Sequence, residues 1–284
     1  KGIPRFCLND HPVFQTGVLD QGYWPDGLYT APSDEALIYD IQTMKNLGFN
    51  MIRKHVKVET ARWYYHCDRL GMIVWQDMVN GGTYNAPFMT WLPALFPKFK
   101  LHTSDRIHPL FGRKNVHGRE EFIRECKETV TALKAFPCIS TWVIFNEGWG
   151  QFDSKKLTAL FRELDDTRLI DSASGWFDRR QGDFKSEHNY FAKQFVTPSD
   201  RAFVISEYGG YTCQVKGHTC SGKAYGYKIC SSQEEFQAAY HKLMSEEIDP
   251  LKEQGLCGAV YTQLSDIEDE INGLITYDRE VCKL

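Results

Sequence analysis

The chain has no C-x-x-C pair among its nine cysteines, which removes the commonest redox and zinc signatures. It has no apolar run near the roughly 18 residues that a membrane span needs, so it reads as soluble. Its 33 basic residues face 37 acidic ones for a net charge of −4. Without a basic stripe, nucleic acid is a poor candidate partner. There is no low-complexity tract and no Pro/Ser linker, so nothing marks a domain boundary. The 284 residues suit one large α/β domain or two smaller ones. The opening "KGIPRFCLNDHP" lacks the apolar core of a signal peptide. It also lacks an initiator Met, so the chain is expected to be part of a longer protein.

Cys67, Cys126, Cys138 and Cys257 fall inside patterned segments and read as buried thiols. Cys213, Cys220 and Cys230 share a Gly-rich stretch with His218, but in no defensible zinc spacing. Unpaired thiols lean towards a reducing, cytoplasmic compartment, and a missing N-terminus leaves export open.

What the chain does have is rhythm. Apolar runs at 12–18, 49–53, 72–77, 139–145, 168–172, 185–190, 202–206 and 257–263 read as strands. Between them lie helical patterns. One starts from Ser33 and stops at Gly48, and others span 60–70, 119–135, 154–165 and 233–248, the last starting from Ser232. Near-continuous apolar strands are typical of a parallel sheet covered on both faces. Eight such units predict a (β/α)8 TIM barrel. A doubly wound sheet would need a Gly-rich phosphate turn after its first strand, and "GVLDQGYWPDG" is not one. Too little chain lies between 172 and 185 for a full helix. Residues 79–117 form a Pro-, Gly- and aromatic-rich insertion, long enough to be expected beside a site.

Two strand ends carry the chemistry. "WVIFNEGWG" brings Asn146 and Glu147 to the end of the fourth strand, and "FVISEYGG" brings Glu207 to the end of the seventh. In a barrel both ends open on one mouth, and two carboxylates at one mouth are what glycoside hydrolysis uses. Trp149 and Trp176, with Tyr208 and Tyr211, offer flat faces for sugar rings. "EHNY" sets His188 and Tyr190 near the same place. Asp20, Arg53, His55, Asp77 and Gln263 are further candidates, although Arg53 and Asp77 equally suit an internal ion pair. The acidic run Asp266, Glu268, Asp269 and Glu270 reads as a solvated or helix-starting segment rather than a calcium site.

These motifs resemble the catalytic barrel of glycoside hydrolase family 2, the β-galactosidases, β-glucuronidases and β-mannosidases. "FPCISTWVIFNEGW" resembles that family's acid/base motif and "SEYGG" its nucleophile motif. "NMIRKHVKVETARWYYHCDRLGMIVWQDM" resembles its second and third strands, and "YTQLSDIEDEINGLITYDR" its last strand and exit. The resemblance implies retaining β-glycoside hydrolysis, with Glu147 as acid/base and Glu207 as nucleophile. Asn146 would bind the sugar 2-hydroxyl and Tyr190 would orient Glu207. It implies a barrel irregular around the fifth helix. A chain that stops at Leu284 leaves the final helix in question. Family members carry β-sandwich domains ahead of the barrel, which are expected to pack on it.

There are departures. After Arg53 the chain reads "KHVKVE", so the expected histidine falls one place early at His55, and Lys57 replaces an aromatic. "VWQD" is more similar to β-mannosidases than to β-galactosidases. The magnesium ligands of the best-known β-galactosidases have no clear counterpart, so no catalytic metal or other cofactor is expected. The resulting expectation is an exo-acting, β-galactosidase-like enzyme. A β-glucuronidase, a β-mannosidase, an endo-glycanase on a related barrel, and a non-catalytic carbohydrate-binding protein are the rivals.

Overall fold

Eight short runs with buried side chains form the parallel strands: β1 Gln15–Asp20, β2 Met51–Lys54, β3 Ile73–Asp77, β4 Ile139–Val143, β5 Leu169–Asp171, β6 Phe184–Asn189, β7 Ala202–Gly209 and β8 Leu256–Thr262. The structure, a computed structural model, describes residues 2–91, 103–220 and 223–284. The ladder runs β5-β4-β3-β2-β1-β8-β7-β6, parallel throughout. This is a TIM barrel, closed by ladder bonds everywhere but between β5 and β6. Across that seam Asp183 N–H donates to the Ile170 carbonyl at 2.9 Å. Its carboxylate takes the Ile170 N–H at 2.7 Å, and Ser186 Oγ donates to Asp171 at 2.9 Å.

Helices follow where the capping chemistry allows. Ser33 accepts from Ala36 N–H at 3.2 Å to start α1, Asp34–Asn46. Gly71, at φ 67°, ends α2, Ala61–Leu70. The third helix, α3 Val116–Leu133, begins earlier than the apolar pattern suggests because Asn115 caps it. For α4, Ser154–Leu164, the adjacent Asp153 makes no capping bond. Asp105, from the long insertion, accepts from Ser154 N–H at 3.0 Å in its place. After β7, α5 (Gln233–Leu243) continues through a π turn, Met244–Ile248, into α6, Asp249–Glu253.

The unit between β5 and β6 has no helix, as its length predicts. The unit between β6 and β7 also has none, an irregularity the sequence reading did not anticipate. That connection is short and carries Pro198, which cannot donate a helical hydrogen bond. No helix follows β8 within residues 263–284.

The alternation of strand side chains divides the apolar residues into two cores. Ile52, Val74, Trp142, Ile170, Phe203 and Ile205 pack outward against the helices. Leu19, Met51, Trp75, Val143, Phe184, Val204 and Val260 fill the barrel, with Phe6 of the N-terminal segment packed among them. Gly17 makes room for this filling, since a Cβ there would sit 2.4 Å from Met51 Cε. Among the described residues no helix is long and apolar enough to cross a membrane.

Candidate active site

Above the apolar filling, the strands end in charge. Arg53, at the end of β2, is completely buried, which would be costly without partners. It has four. Nε and Nη2 donate to the two Asp77 oxygens at 3.0 and 2.9 Å. Nη2 also reaches Asn146 Oδ1 at 2.8 Å, and Nη1 donates to Glu207 Oε1 and the Ser206 carbonyl, both at 3.1 Å. The ion pair expected of Arg53 and Asp77 therefore exists, and it also braces the ends of β4 and β7. His55 Nδ1 lies 2.8 Å from the same Asp77 carboxylate. Burial pushes the Asp77 carboxyl up, but the Arg53 charge and the His55 hydrogen bond prevail and hold it below the ordinary range. The same contact with Asp77 raises His55 against the effect of its burial.

Glu207 is held from its other side. Tyr190 donates to Oε2 at 2.5 Å and lies 3.0 Å from Thr262 Oγ1. Burial and the adjacent Glu207 charge push the Tyr190 hydroxyl well above its usual range, so it stays a donor. Tyr227 stacks on Tyr190 with ring centroids 3.8 Å apart and planes 8° from parallel.

Glu147 stands opposite. Its backbone is left-handed at φ 54°, an uncommon state for a residue with a Cβ. Asn146 and Ser174 hold it there: Glu147 N–H donates to the Ser174 carbonyl at 2.9 Å, and Trp149 N–H to the Asn146 carbonyl at 3.1 Å. Burial pushes the Glu147 carboxyl up to about 7, while His55 and Arg53 pull it down. The neighbouring Glu207 carboxylate is bonded to Arg53 and Tyr190. His188 sits between the two acids, with Nδ1 at 2.9 Å from Glu147 and 3.4 Å from Glu207. Oxygens of Glu147 and Glu207 and a nitrogen of His188 all lie within 4.8 Å of one another, the only such group among the described residues that could gather around a metal ion.

The structure thus brings Arg53, His55, Asp77, Asn146, Glu147, His188, Tyr190 and Glu207 together. Trp176 meets the edge of His188 at 5.7 Å between centroids. Gln263 turns aside, donating to Asn272 at 2.8 Å and accepting from Gln21 at 3.0 Å. Asp20 pairs with Lys54, next to Arg53 in sequence and so on the opposite face of β2. Trp149 donates to the Gly82 carbonyl at 3.2 Å and meets Tyr84 edge-on at 5.8 Å, so it braces the insertion. Tyr208 follows Glu207 and points outward, with its hydroxyl 3.2 Å from Met244 Sδ. Tyr211 lines a cavity of about 480 Å³ with Tyr190 and Tyr227.

The insertion lies where it was expected. Gly150 N–H donates to the Phe111 carbonyl and Arg113 Nε to the Gly150 carbonyl, both at 2.9 Å. Residues 92–102 of the insertion lie outside the described residues. The acidic run meets its expectation only in part: Glu268 and Asp269 are exposed, as a solvated segment would be. Asp266 is buried and bonded to Lys283 at 2.6 Å, because the chain after β8 folds back over it, and no helix starts there.

Sequence reasoning missed Ser174, Ser206 and Thr262, whose small hydroxyls carry no motif, and Tyr227, which reaches Tyr190 from a loop distant in sequence.

Comparison with known proteins finds similar sequences and similar folds. The β-galactosidase of Priestia megaterium is 24% identical over 213 residues, 68% of this chain and 17% of that protein. A putative β-glucuronidase of Formosa agariphila is 24% identical over 60% of this chain and 14% of its own length. The structure of a β-galacturonidase from Eisenbergiella tayi, bound to galacturonate, superposes with a TM-score of 0.71 at 16% identity, covering 99% of this chain and 51% of that one. A β-glucuronidase from Parabacteroides merdae gives a TM-score of 0.67 at 16% identity, covering 98% of this chain and 36% of that one. The chain therefore spans a minor part of its curated relatives. Residues 5–282 match the model of the glycosyl hydrolases family 2 TIM barrel domain, and the chain belongs to that family.

Proposed function

We propose that this barrel carries out retaining β-glycoside hydrolysis, with Glu207 as nucleophile and Glu147 as acid/base. The observation that carries the reading is the approach of their oxygens to within 4.8 Å. Retaining enzymes hold their carboxyl groups about 5–5.5 Å apart, whereas inverting ones leave about 6.5–9.5 Å for a water molecule. Glu207, oriented by Tyr190 and Arg53, attacks the anomeric carbon while protonated Glu147 gives its proton to the leaving oxygen. Esterification then removes the Glu207 charge. Glu147, now ionised, takes a proton from water, which attacks the glycosyl ester and releases the sugar with its configuration kept. Asn146, held by Arg53, is positioned for the sugar 2-hydroxyl.

For the substrate, we favour a terminal neutral sugar, with β-galactoside first. Each cation at the end of β2 is already matched: Arg53 by Asp77 and Glu207, Lys54 by Asp20 and Glu59, and Lys57 by Glu59 at 2.7 Å. A uronate carboxylate calls for an unspent cation. The packing of the insertion against residues 148–151 supports exo action. A panel of aryl β-galactoside, glucuronide, mannoside and glucoside against the protein carrying this barrel tests the choice. Galactoside should be cleaved fastest, and a dominant glucuronidase activity would overturn the substrate assignment. Release of internal fragments from a long oligosaccharide would overturn exo action.

A further inference from the structure

The imidazole between the two acids has a second nitrogen, and its partner is a residue without an assigned role. His188 Nε2 lies 3.1 Å from Ser174 Oγ. Ser174 Oγ donates to Ser206 Oγ at 2.9 Å, and Ser206 Oγ reaches the Glu187 carbonyl at 3.5 Å. With its own proton committed to Ser206, the Ser174 oxygen is left to accept, which puts the imidazole proton on Nε2. We propose that Ser174 is a positioning residue that fixes His188 as the Nε2–H tautomer, so that Nδ1 accepts the acid proton of Glu147 at Oε1.

The rest of the cluster fits this assignment. Burial keeps His188 neutral, with its pKa down at about 3, so Nδ1 holds a proton by hydrogen bonding without removing it. The nearer Glu207 oxygen already accepts from Tyr190 and has no need of an imidazole proton. Ser174 is itself rigid: its N–H donates to the Phe145 carbonyl at 2.8 Å, and its carbonyl takes the Glu147 N–H. The next residue must be glycine, since a Cβ at Gly175 would lie 2.7 Å from the His188 ring. One short stretch thus sets both the acid's backbone and the ring that faces its carboxyl.

A lone pair opposite Glu147 favours its neutral form. The other groups facing it are Arg53 from β2 and His55 just after it, Asp77 behind them from β3, Glu207 from β7, and Tyr190 with Tyr227 beside it. Removing the Ser174 hydroxyl would strand the Nε2–H in a buried site. The proton then does better on Nδ1, where it stabilises ionised Glu147 and lowers its pKa.

The inference rests on the acid/base reading of Glu147, but the tautomer can be read without turnover. In the protein carrying this barrel, 15N NMR of the His188 ring should show an unprotonated Nδ1 and a protonated Nε2. Ser174→Ala should exchange the two. Ser206→Ala should do the same, because it frees the Ser174 hydroxyl to donate to Nε2. In both variants the basic limb of the kcat/KM profile should move to lower pH by about one unit. A protonated Nδ1 in the unaltered protein, or ring signals and pH limbs unchanged in both variants, would overturn the proposal.

Discussion

The lower and upper halves of the barrel interior use the same strands for opposite purposes. Met51 and Trp75 are buried among hydrocarbon, and two residues further along the same strands Arg53 and Asp77 are buried among charges. The lower half gains stability from apolar burial, at about 25 cal/mol per Å². The upper half contributes little net stability, because desolvating its charges offsets most of their mutual attraction. It also holds the strained backbone of Glu147. The difference teaches that the barrel floor stabilises a mouth that would not hold itself.

Substitutions can break this contrast, beginning with the largest effect. Glu207→Ala should lower kcat by about 10⁴-fold or more while leaving thermal unfolding near that of the parent. Added azide should restore turnover as an inverted glycosyl azide. Unchanged turnover in this variant would contradict the division. Trp75→Ala in the floor should lose about 3–5 kcal/mol in urea unfolding, with a normal pH profile in whatever folds. Arg53→Met at the mouth should lose a similar amount, about 3–5 kcal/mol, because it leaves Asp77 and Glu207 buried without their cation. It should also abolish activity, which Trp75→Ala should not.

The pH dependence sharpens the contrast. The Glu147 pKa is raised in the fold to about 7, so the native state holds a proton that the unfolded chain releases at ordinary carboxylate pH. Stability must therefore fall as pH rises through that window. Glu147→Gln should remove this fall, gaining on the parent between pH 5 and pH 8 in urea titrations. The catalytic rate should decline above about pH 7 in the parent. A stability gap independent of pH would contradict the raised acid. The smallest effect belongs to the floor: Gly17→Ala crowds Met51 and should cost about 1–3 kcal/mol with kcat unchanged.

Much of this architecture was legible in the sequence, and the parts that were not have physical reasons. The strands and most helices follow from apolar period and caps such as Ser33 and Ser232, which are local. The cap of α4 was not legible, because Asp105 arrives from a distant loop. Glu147 and Glu207 were readable as carboxylates terminating apolar runs. Tyr208 was misread as a sugar platform because strand alternation turns it away from Glu207. The contact of Trp149 with the Gly82 carbonyl was not legible, because nothing in its neighbourhood of sequence foretells it. Asp20 looked like a mouth residue by strand position, but its partner Lys54 lies on the outward face. Buried hydroxyls such as Ser174 and Ser206 gain meaning only from what surrounds them in space.

The most direct test of the facing carboxylates is to trap the glycosyl ester. The protein carrying this barrel would be treated with an activated 2-deoxy-2-fluoro β-galactoside, whose ester forms but turns over slowly, and its peptides mapped by mass. The sugar is expected on Glu207 and nowhere else. A label on another residue, with Glu207 unmodified in an inactivated enzyme, would contradict the account.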